Sequence, residues 1–126
     1  MGCFVNTETF ETMLQERIEK IQKVLGAKAK EYALGGDRLH NFKTAAAMGQ
    51  TTQAKALWGM AMKHLVSVTD LVEGRLPPTM WLVNEKIGDL INYLILLEAV
   101  LLEPVLHVDP TLSGHVEDAL GGDHAK

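Results

Sequence analysis

Two stretches of the sequence place polar side chains in apolar surroundings at the spacing of an α-helix. Each set is spaced i, i+4, i+7, and its members are Lys63, Ser67 and Asp70 in the 63–70 ladder and Glu85, Asp89 and Asn92 in the 85–92 ladder. An α-helix gathers such positions into one stripe. Charged groups beside buried surface are costly unless they pair, bind a metal or meet a polar ligand. We therefore expect the functional site at these ladders.

The 85–92 ladder suggests metal chemistry. Carboxylates at i and i+4, here Glu85 and Asp89, offer two oxygen ligands from one helix to a hard cation such as Mg²⁺. Asn92, one turn further along, can add an amide contact to a ligand. The alternative is structural: Glu85 pairs with Lys63, and Asp89 caps a helix or pairs across the bundle.

The 63–70 ladder has the opposite charge at its first position. Lys63 can meet a phosphate or a carboxylate, and Asp70 can join a metal site with Glu85 and Asp89. His64 lies on the apolar side, where a lone histidine is either a ligand contact or a core residue with one hydrogen-bonded nitrogen. Ser67 is expected to bond its own helix backbone, since the sequence contains no recognisable catalytic triad.

A third candidate region is the sequence GGDRLHNFK, which brings Arg38 and Asn41 close together in the chain. Arginine binds phosphate or carboxylate bidentately, and asparagine can contact a base. The stretch is not a P-loop, because it lacks the GKS or GKT ending. A capped turn with solvated charges is the alternative. Just before it, Glu31 is a candidate third carboxylate and Tyr32 a candidate for stacking on a base, as is Trp81 in the third long helix, although aromatic residues at helical spacing also form cores.

The elements that carry these residues are all predicted to be helical, so the expected fold class is all-α. Apolar periodicity and cap residues indicate three long helices and one short one. Their predicted bounds are Thr7 or Thr9 to about Ala33, a short helix from an Asn41 cap to Gly49, Thr51 or Thr52 to about Gly74, and Thr79 to about Glu103, where Pro104 should halt the helix. From Leu90 onward the last helix is apolar on most of its circumference. We therefore expect a homo-oligomer assembled through the 79–103 helix.

Length and composition bound the remaining possibilities. The 126 residues predict one bundle domain over 1–104 and an extended or partly helical tail over 105–126. The net charge of −4 argues against binding to duplex nucleic acid. The longest apolar run, from Leu94 to Leu102, is interrupted by Glu98 and is too short to span a bilayer. With Cys3 as its single cysteine, the chain is expected to be cytoplasmic, without a membrane partner.

Four pieces of sequence, in order, resemble a known family. They are EYA, GGDRLHNF, GMAMKHLVSVTDLV and EKIGDLINYLILLEAVL, and the resemblance covers roughly residues 28–101. The similar proteins are small phage and prophage proteins of the nucleotide modification associated domain group, distant relatives of the MazG-like all-α nucleoside triphosphate pyrophosphohydrolases. The resemblance implies an oligomeric helical bundle, in the host cytoplasm, with a magnesium-bound nucleotide between its helices.

The sequence departs from the MazG-like pattern at its acidic positions. That pattern has an E-x-x-E pair on one helix and an E-x-x-D pair on a later helix. Here Lys28 replaces the first glutamate before Glu31, and Lys86 lies three residues before Asp89, which leaves Glu85 at four. A lysine in place of a carboxylate exchanges metal binding for direct phosphate binding. The departures favour holding a nucleotide over cleaving it.

Three functions follow, of which the first is the one we expect and the other two are its alternatives. In a Mg²⁺-dependent pyrophosphohydrolase that converts a nucleoside triphosphate to monophosphate and pyrophosphate, Glu85, Asp89 and Asp70 would hold the metal, Asp70 or Glu31 would assist the attacking water, and Lys63 with Arg38 would neutralise charge. In a non-catalytic oligomer that sequesters a signalling nucleotide against host defence, Lys63, Arg38 and Asn92 would bind the ligand. Further ligand contacts are expected from Asn41, His64 and Tyr32. The third function is a structural interaction module whose ladders are salt bridges.

Overall fold

The computed structural model describes residues 4–27, 31 and 33–106, and within this part the chain is helical and has no strand. The all-α prediction is confirmed. None of the described helices is long and apolar enough to cross a membrane. The elements are α1 (Thr7–Ile21), a π-helical segment (Gln22–Ala27), a 3₁₀ turn (Leu34–Gly36), α2 (His40–Met48), α3 (Gln53–Val72) and α4 (Met80–Leu106).

The helices that carry the ladders begin where their cap residues predict. The hydroxyl of Thr52 accepts from the backbone N–H of Lys55 at 3.2 Å, and the hydroxyl of Thr79 accepts from that of Leu82 at 3.2 Å. Each bond satisfies one of the donors that a first helical turn leaves unpaired. The starts of α3 and α4 are therefore fixed by local chemistry.

The start of α2 differs from the prediction. Asn41 does not cap this helix but lies inside it, in the first turn after His40. The carboxylate of Asp37 accepts the N–H of Leu39 at 2.9 Å, and no side chain caps the helix at Leu39. An aspartate that bonds the backbone two residues on is a turn former, so the turn is organised from Asp37. Gly49 ends α2 as expected, and its backbone N–H donates to the carbonyl oxygen of Ala45 at 2.9 Å.

Two helix ends also differ. Pro104 does not halt α4, which continues to Leu106. A proline loses only its own N–H bond to the residue four positions earlier, and in a last turn this removes one bond. The first helix was predicted to continue to about Ala33, but α-geometry ends at Ile21 and gives way to the π-helical segment. The predicted tail lies outside the described residues from position 107 onward.

The core lies where α3 packs along α4 and α2 covers the first turns of α3. Leu57 is fully buried and Val100 is nearly so, and Leu39 and Phe42 complete the cluster. The α1 helix lies along the first half of α4 and has no buried residue of its own.

A charged cluster centred on Lys43 joins three distant parts of the fold. Its ammonium contacts Asp37 at 2.6 Å and Glu103 at 2.8 Å. The side-chain amide of Gln53 donates to the other oxygen of Glu103 at 3.0 Å. The turn before α2, the start of α3 and the last turns of α4 are therefore held together by polar bonds as well as by the core.

The Lys43 cluster predicts a specific pH dependence of stability. Hydrogen bonding by Lys43 lowers the pKa of Asp37 below 3.8 and, with help from Gln53, the pKa of Glu103 below 4.5. Asp37 and then Glu103 raise the pKa of Lys43 above 10.5. Because the carboxyl pKa values are lower in the folded protein than in the unfolded chain, the two ionised carboxylates stabilise the fold at a pH above their ordinary pKa values. This stabilisation is lost as the pH falls through their pKa values in the folded protein. The raised lysine pKa stabilises below 10.5 and is lost at higher pH.

Lys43→Met should therefore be less stable than the wild type between about pH 5 and 10, and the difference should shrink toward pH 3, where the carboxyl groups are protonated. Urea midpoints measured across this range provide the test. Lys55→Met, which changes an exposed lysine of α3, is the control and should show no such pattern. A difference between Lys43→Met and wild type that persists unchanged at pH 3 would show that packing of the lysine stem, rather than its charge, stabilises the fold.

Candidate functional site

The 85–92 ladder lies on one face of α4, and its three side chains are partly buried. Asn92 is the unusual member, because its amide oxygen is buried and has no hydrogen-bond partner among the described residues. Buried polar atoms are almost always paired, and an unpaired one costs about 1–3 kcal/mol. Within the described residues this oxygen therefore lacks its usual partner, as does the side-chain oxygen of Gln53.

The 63–70 ladder does not face the 85–92 ladder. Lys63 is exposed, and the hydroxyl of Ser67 donates to the Lys63 carbonyl at 3.1 Å, as expected for a serine bonded to its own helix. Within the described part of the chain, Lys63 forms no ion pair with Glu85 or Asp89, so the salt bridge expected of a purely structural module is not present.

The packing of α3 explains the direction of its ladder. Leu57, Ala61 and His64 follow one another at steps of four and three and face α4. Lys63 is one residue from His64 and therefore about 100° around the helix from it. The same rotation directs Lys63 to solvent.

His64 is the residue of α3 that meets the 85–92 ladder. Its ring is 16% exposed, and Nδ1 lies 3.6 Å from the Oδ2 of Asp89, which is longer than a direct hydrogen bond. On its other side the imidazole is tilted by 30° against the ring of Tyr93, with centroids 4.8 Å apart. His64 therefore lies at the edge of the ladder, within reach of a ligand held beside Asp89.

Asp70 is engaged elsewhere. Its carboxylate accepts from Nε of Arg75 at 2.7 Å, and its carbonyl accepts the N–H groups of Arg75 and Leu76, at the turn that follows α3. The set Glu85, Asp89 and Asp70, predicted as metal ligands, is not brought together: no group of three or more His, Cys, Asp or Glu side chains in residues 4–27, 31 and 33–106 is arranged around a common point.

Arg38 is placed far from the ladder. It lines a cavity of about 530 Å³ together with Ile95, Glu98 and Leu102, on the second half of α4. At 1.5 Å per residue, about 14 Å of helix separates Asp89 from Glu98. Arg38 therefore lies beside the second half of α4, beyond the two ladder carboxylates.

The remaining predicted residues lie on the surface or outside the described part. Asn41 is exposed on α2, and Glu31 is exposed as well. Trp81, in the first turn of α4, is 68% exposed and so is not a core residue. Tyr32 lies outside the described residues. In the described part of the chain, none of these exposed side chains forms a hydrogen bond or an ion pair with a residue of the 85–92 ladder.

Sequence reasoning missed a contact between α1 and α4. One terminal nitrogen of Arg17, Nη2, donates to the backbone oxygen of Asn84 at 3.1 Å and to its side-chain oxygen at 3.3 Å. The guanidinium lies over Gly88, where a Cβ atom would be only 2.5 Å from Nη1. A single glycine inside an apolar helix was the available signal, since such a glycine usually has a packing reason. It places Arg17 beside the ladder, because Gly88 is next to Asp89.

Comparison with known proteins gave no match. No protein-family model fits this chain, and no curated protein and no solved structure is significantly similar to it.

Proposed function

We propose that this protein binds a nucleotide on the face of α4 that carries Glu85, Asp89 and Asn92, and holds it without cleaving it. The observation that supports the proposal most is the buried amide oxygen of Asn92, which has no partner in the described residues. A nucleobase amino group or a ribose hydroxyl is a donor of the required kind, and it reaches this oxygen once the side chains that cover the oxygen move aside. The resemblance to phage nucleotide modification associated proteins suggests the same class of ligand.

The neighbours of Asn92 suit the polar parts of a nucleoside. Glu85 and Asp89 are acceptors when ionised, so each can accept from a ribose hydroxyl or a base amino group. His64 lies beside Asp89, and its ring is tilted by 30° against the ring of Tyr93. A ligand on this face would thus meet acceptors along α4 and aromatic surface beside them.

Holding is favoured over cleavage by the number of carboxylates at the ladder. Glu85 and Asp89 are one turn apart on α4, whereas Asp70 is bonded to Arg75. A magnesium site that cleaves a phosphate chain uses several carboxylates to hold the metal and activate water. The lysines at positions 28 and 86, where the MazG-like pattern has acids, point in the same direction.

We propose further that the partner of this chain is a second copy of itself, bound through α4. Three large apolar residues on the outer face of this helix are 47–58% exposed, namely Leu94, Leu101 and Val105. Their separations of 7 and 4 residues place them on one stripe. Such a stripe along a long helix is the seam that helix–helix association buries.

The second candidate function is Mg²⁺-dependent hydrolysis of a nucleoside triphosphate to the monophosphate and pyrophosphate. The observation that favours it is the pairing of Glu85 and Asp89, which are partly buried and one turn apart. Mg²⁺ is often bound by one or two carboxylates together with substrate phosphates. These two residues can therefore hold a metal that arrives with its nucleotide, and the metal would supply charge neutralisation along the phosphate chain.

Calorimetry with a nucleotide panel, in Mg²⁺ and in EDTA, distinguishes the two functions. The panel contains the nucleoside triphosphates, their monophosphates and cyclic dinucleotides, and the products are followed by chromatography. We expect binding that survives EDTA and no release of pyrophosphate. Turnover of any triphosphate in Mg²⁺, abolished by Glu85→Gln and by Asp89→Asn, would replace the binding function with the hydrolase.

A matched pair of variants separates the ladder from the rest of the surface. Asp89→Asn should weaken nucleotide binding, whereas Glu73→Gln, an exposed acid beyond the end of α3, should not. Absence of binding to every member of the panel by the wild type would refute both candidate functions.

A further inference from the structure

We infer that Arg17 of α1 binds a phosphate group of the nucleotide held on α4. The inference rests on the proposed function and adds the residue that recognises the charged part of the ligand. It starts from the way in which the guanidinium is held. Nη2 donates both to the backbone oxygen of Asn84 and to its side-chain oxygen, at 3.1 and 3.3 Å. These bonds fix one edge of the planar group against α4.

The other edge of the guanidinium is available. Nη1 and Nε have no hydrogen-bond acceptor among the described residues, and no carboxylate in that part of the chain lies within 4.0 Å of Arg17. Arginine carries five N–H donors in a planar fork that fits phosphate bidentately. Arg17 is thus a partly buried cation that is anchored on one side and lacks an anion on the other.

The surroundings of Arg17 form a cleft rather than an open surface. Arg17, Lys20 and Glu16 line a groove of about 680 Å³ between α1 and the first half of α4, together with Leu14 and Ile87. This volume is in the range of small-molecule sites. The α1 wall of this mostly apolar groove carries two cations and one acid, so its net charge favours a ligand with an anionic end.

Gly88 links this cation to the 85–92 ladder. Because it has no side chain, the guanidinium can lie directly on α4 at this position. Asn92 is four residues further on, which is about 6 Å along the helix. One nucleotide can span that distance, with its base or sugar at Asn92 and a phosphate at Arg17.

The test uses two variants that remove the phosphate contact in different ways. Arg17→Gln removes the charge, whereas Gly88→Ala keeps it and displaces the guanidinium, because the new methyl group would occupy its place. Only the end of a flexible side chain must move, and alanine has the higher helix propensity, so the fold is preserved. We expect each variant to bind nucleoside triphosphates about 10–100-fold more weakly than the wild type.

The same variants should bind the corresponding nucleosides as the wild type does, since a nucleoside has no phosphate. The double variant should be no weaker than either single one, because both changes remove the same contact. Matched controls are Lys23→Gln, an exposed cation near the end of α1, and Gly59→Ala, a helical glycine with open space around its Cβ position. Both controls should bind like the wild type.

Binding of nucleotides and of inorganic pyrophosphate is measured by calorimetry, and each outcome decides a separate point. Triphosphate binding that is equal in wild type, Arg17→Gln and Gly88→Ala overturns the role of Arg17 and leaves the proposed function intact. If pyrophosphate binding depends on Arg17 and nucleotides bind no better than pyrophosphate, the anion site at Arg17 is supported. The same result refutes the proposal that the ligand is a nucleotide. Absence of binding to either probe overturns both.

Discussion

Asn92→Leu is expected to abolish nucleotide binding and to make the ligand-free protein more stable. The variant removes a buried amide oxygen that has no partner in the described residues, so the desolvation cost of about 1–3 kcal/mol disappears. The donor group of the ligand then finds no acceptor. Thermal and urea denaturation measure the first effect, and calorimetry with the nucleotide panel measures the second. Asn92→Ala, which cannot overfill the site, should show the same loss of binding.

Gln53 provides the control for Asn92, because its side-chain oxygen is likewise buried and unpartnered in the described residues. Gln53 is far from the ladder and donates through its nitrogen to Glu103. Gln53→Leu should alter stability and leave nucleotide binding unchanged. If Asn92→Leu is less stable than the wild type, the Asn92 amide already has a partner in the native assembly. If Asn92→Leu binds nucleotides as the wild type does, Asn92 is not part of the site.

Leu94→Glu combined with Leu101→Glu is expected to dissociate the oligomer. These residues are 47% and 58% exposed, so the single chain loses little packing when they change. In the proposed interface, however, each glutamate would be desolvated without a partner, and two copies of each would oppose association. We expect the dissociation constant to rise about 100-fold or more. Native mass spectrometry over a range of protein concentrations measures the change, and circular dichroism checks that helix content is retained.

The matched control for the double variant is Val72→Glu. Val72 is 79% exposed at the end of α3, away from the outer stripe of α4, so the same chemical change there should leave assembly unaltered. An assembly that persists in the double variant would place the interface on another surface. A wild-type chain that is monomeric at high concentration would refute the homo-oligomer.

The starts of α3 and α4 depend on local chemistry, so they could be predicted from the sequence. The caps Thr52 and Thr79 and the bounds of α3 required only a side-chain oxygen followed by apolar periodicity. Pro104 shows where such rules stop. A proline near the end of a helix removes a single bond, and the sequence does not show how close the end is.

The candidate site was predicted in part, for a geometric reason. Spacing places Lys63, Ser67 and Asp70 on one stripe of their own helix, but it does not tell which stripe packs against α4. The buried stripe contains Leu57 and His64 instead. Arg17 was missed because its contact with Asn84 joins positions 67 residues apart, which no local pattern encodes.

The π-helical segment adds a second reason. The prediction for Glu31 continued the 3.6-residue period of α1 through to Ala33, whereas residues 22–27 follow a wider turn. The 3.6-residue period of α1 therefore ends at Ile21. Periodicity in α1 carries no information about the face on which Glu31 appears.

The bonds around Lys43 also bear on the order in which the fold can form. The α3 and α4 helices are joined by only the seven residues 73–79, so bringing them together closes a short loop and costs little chain entropy. Lys43 and Glu103 are 60 positions apart, and their contact requires the finished hairpin of α3 and α4 as its platform. We therefore expect the cluster to form late in folding, when the turn at Asp37 packs onto a pair of helices that local contacts have already assembled.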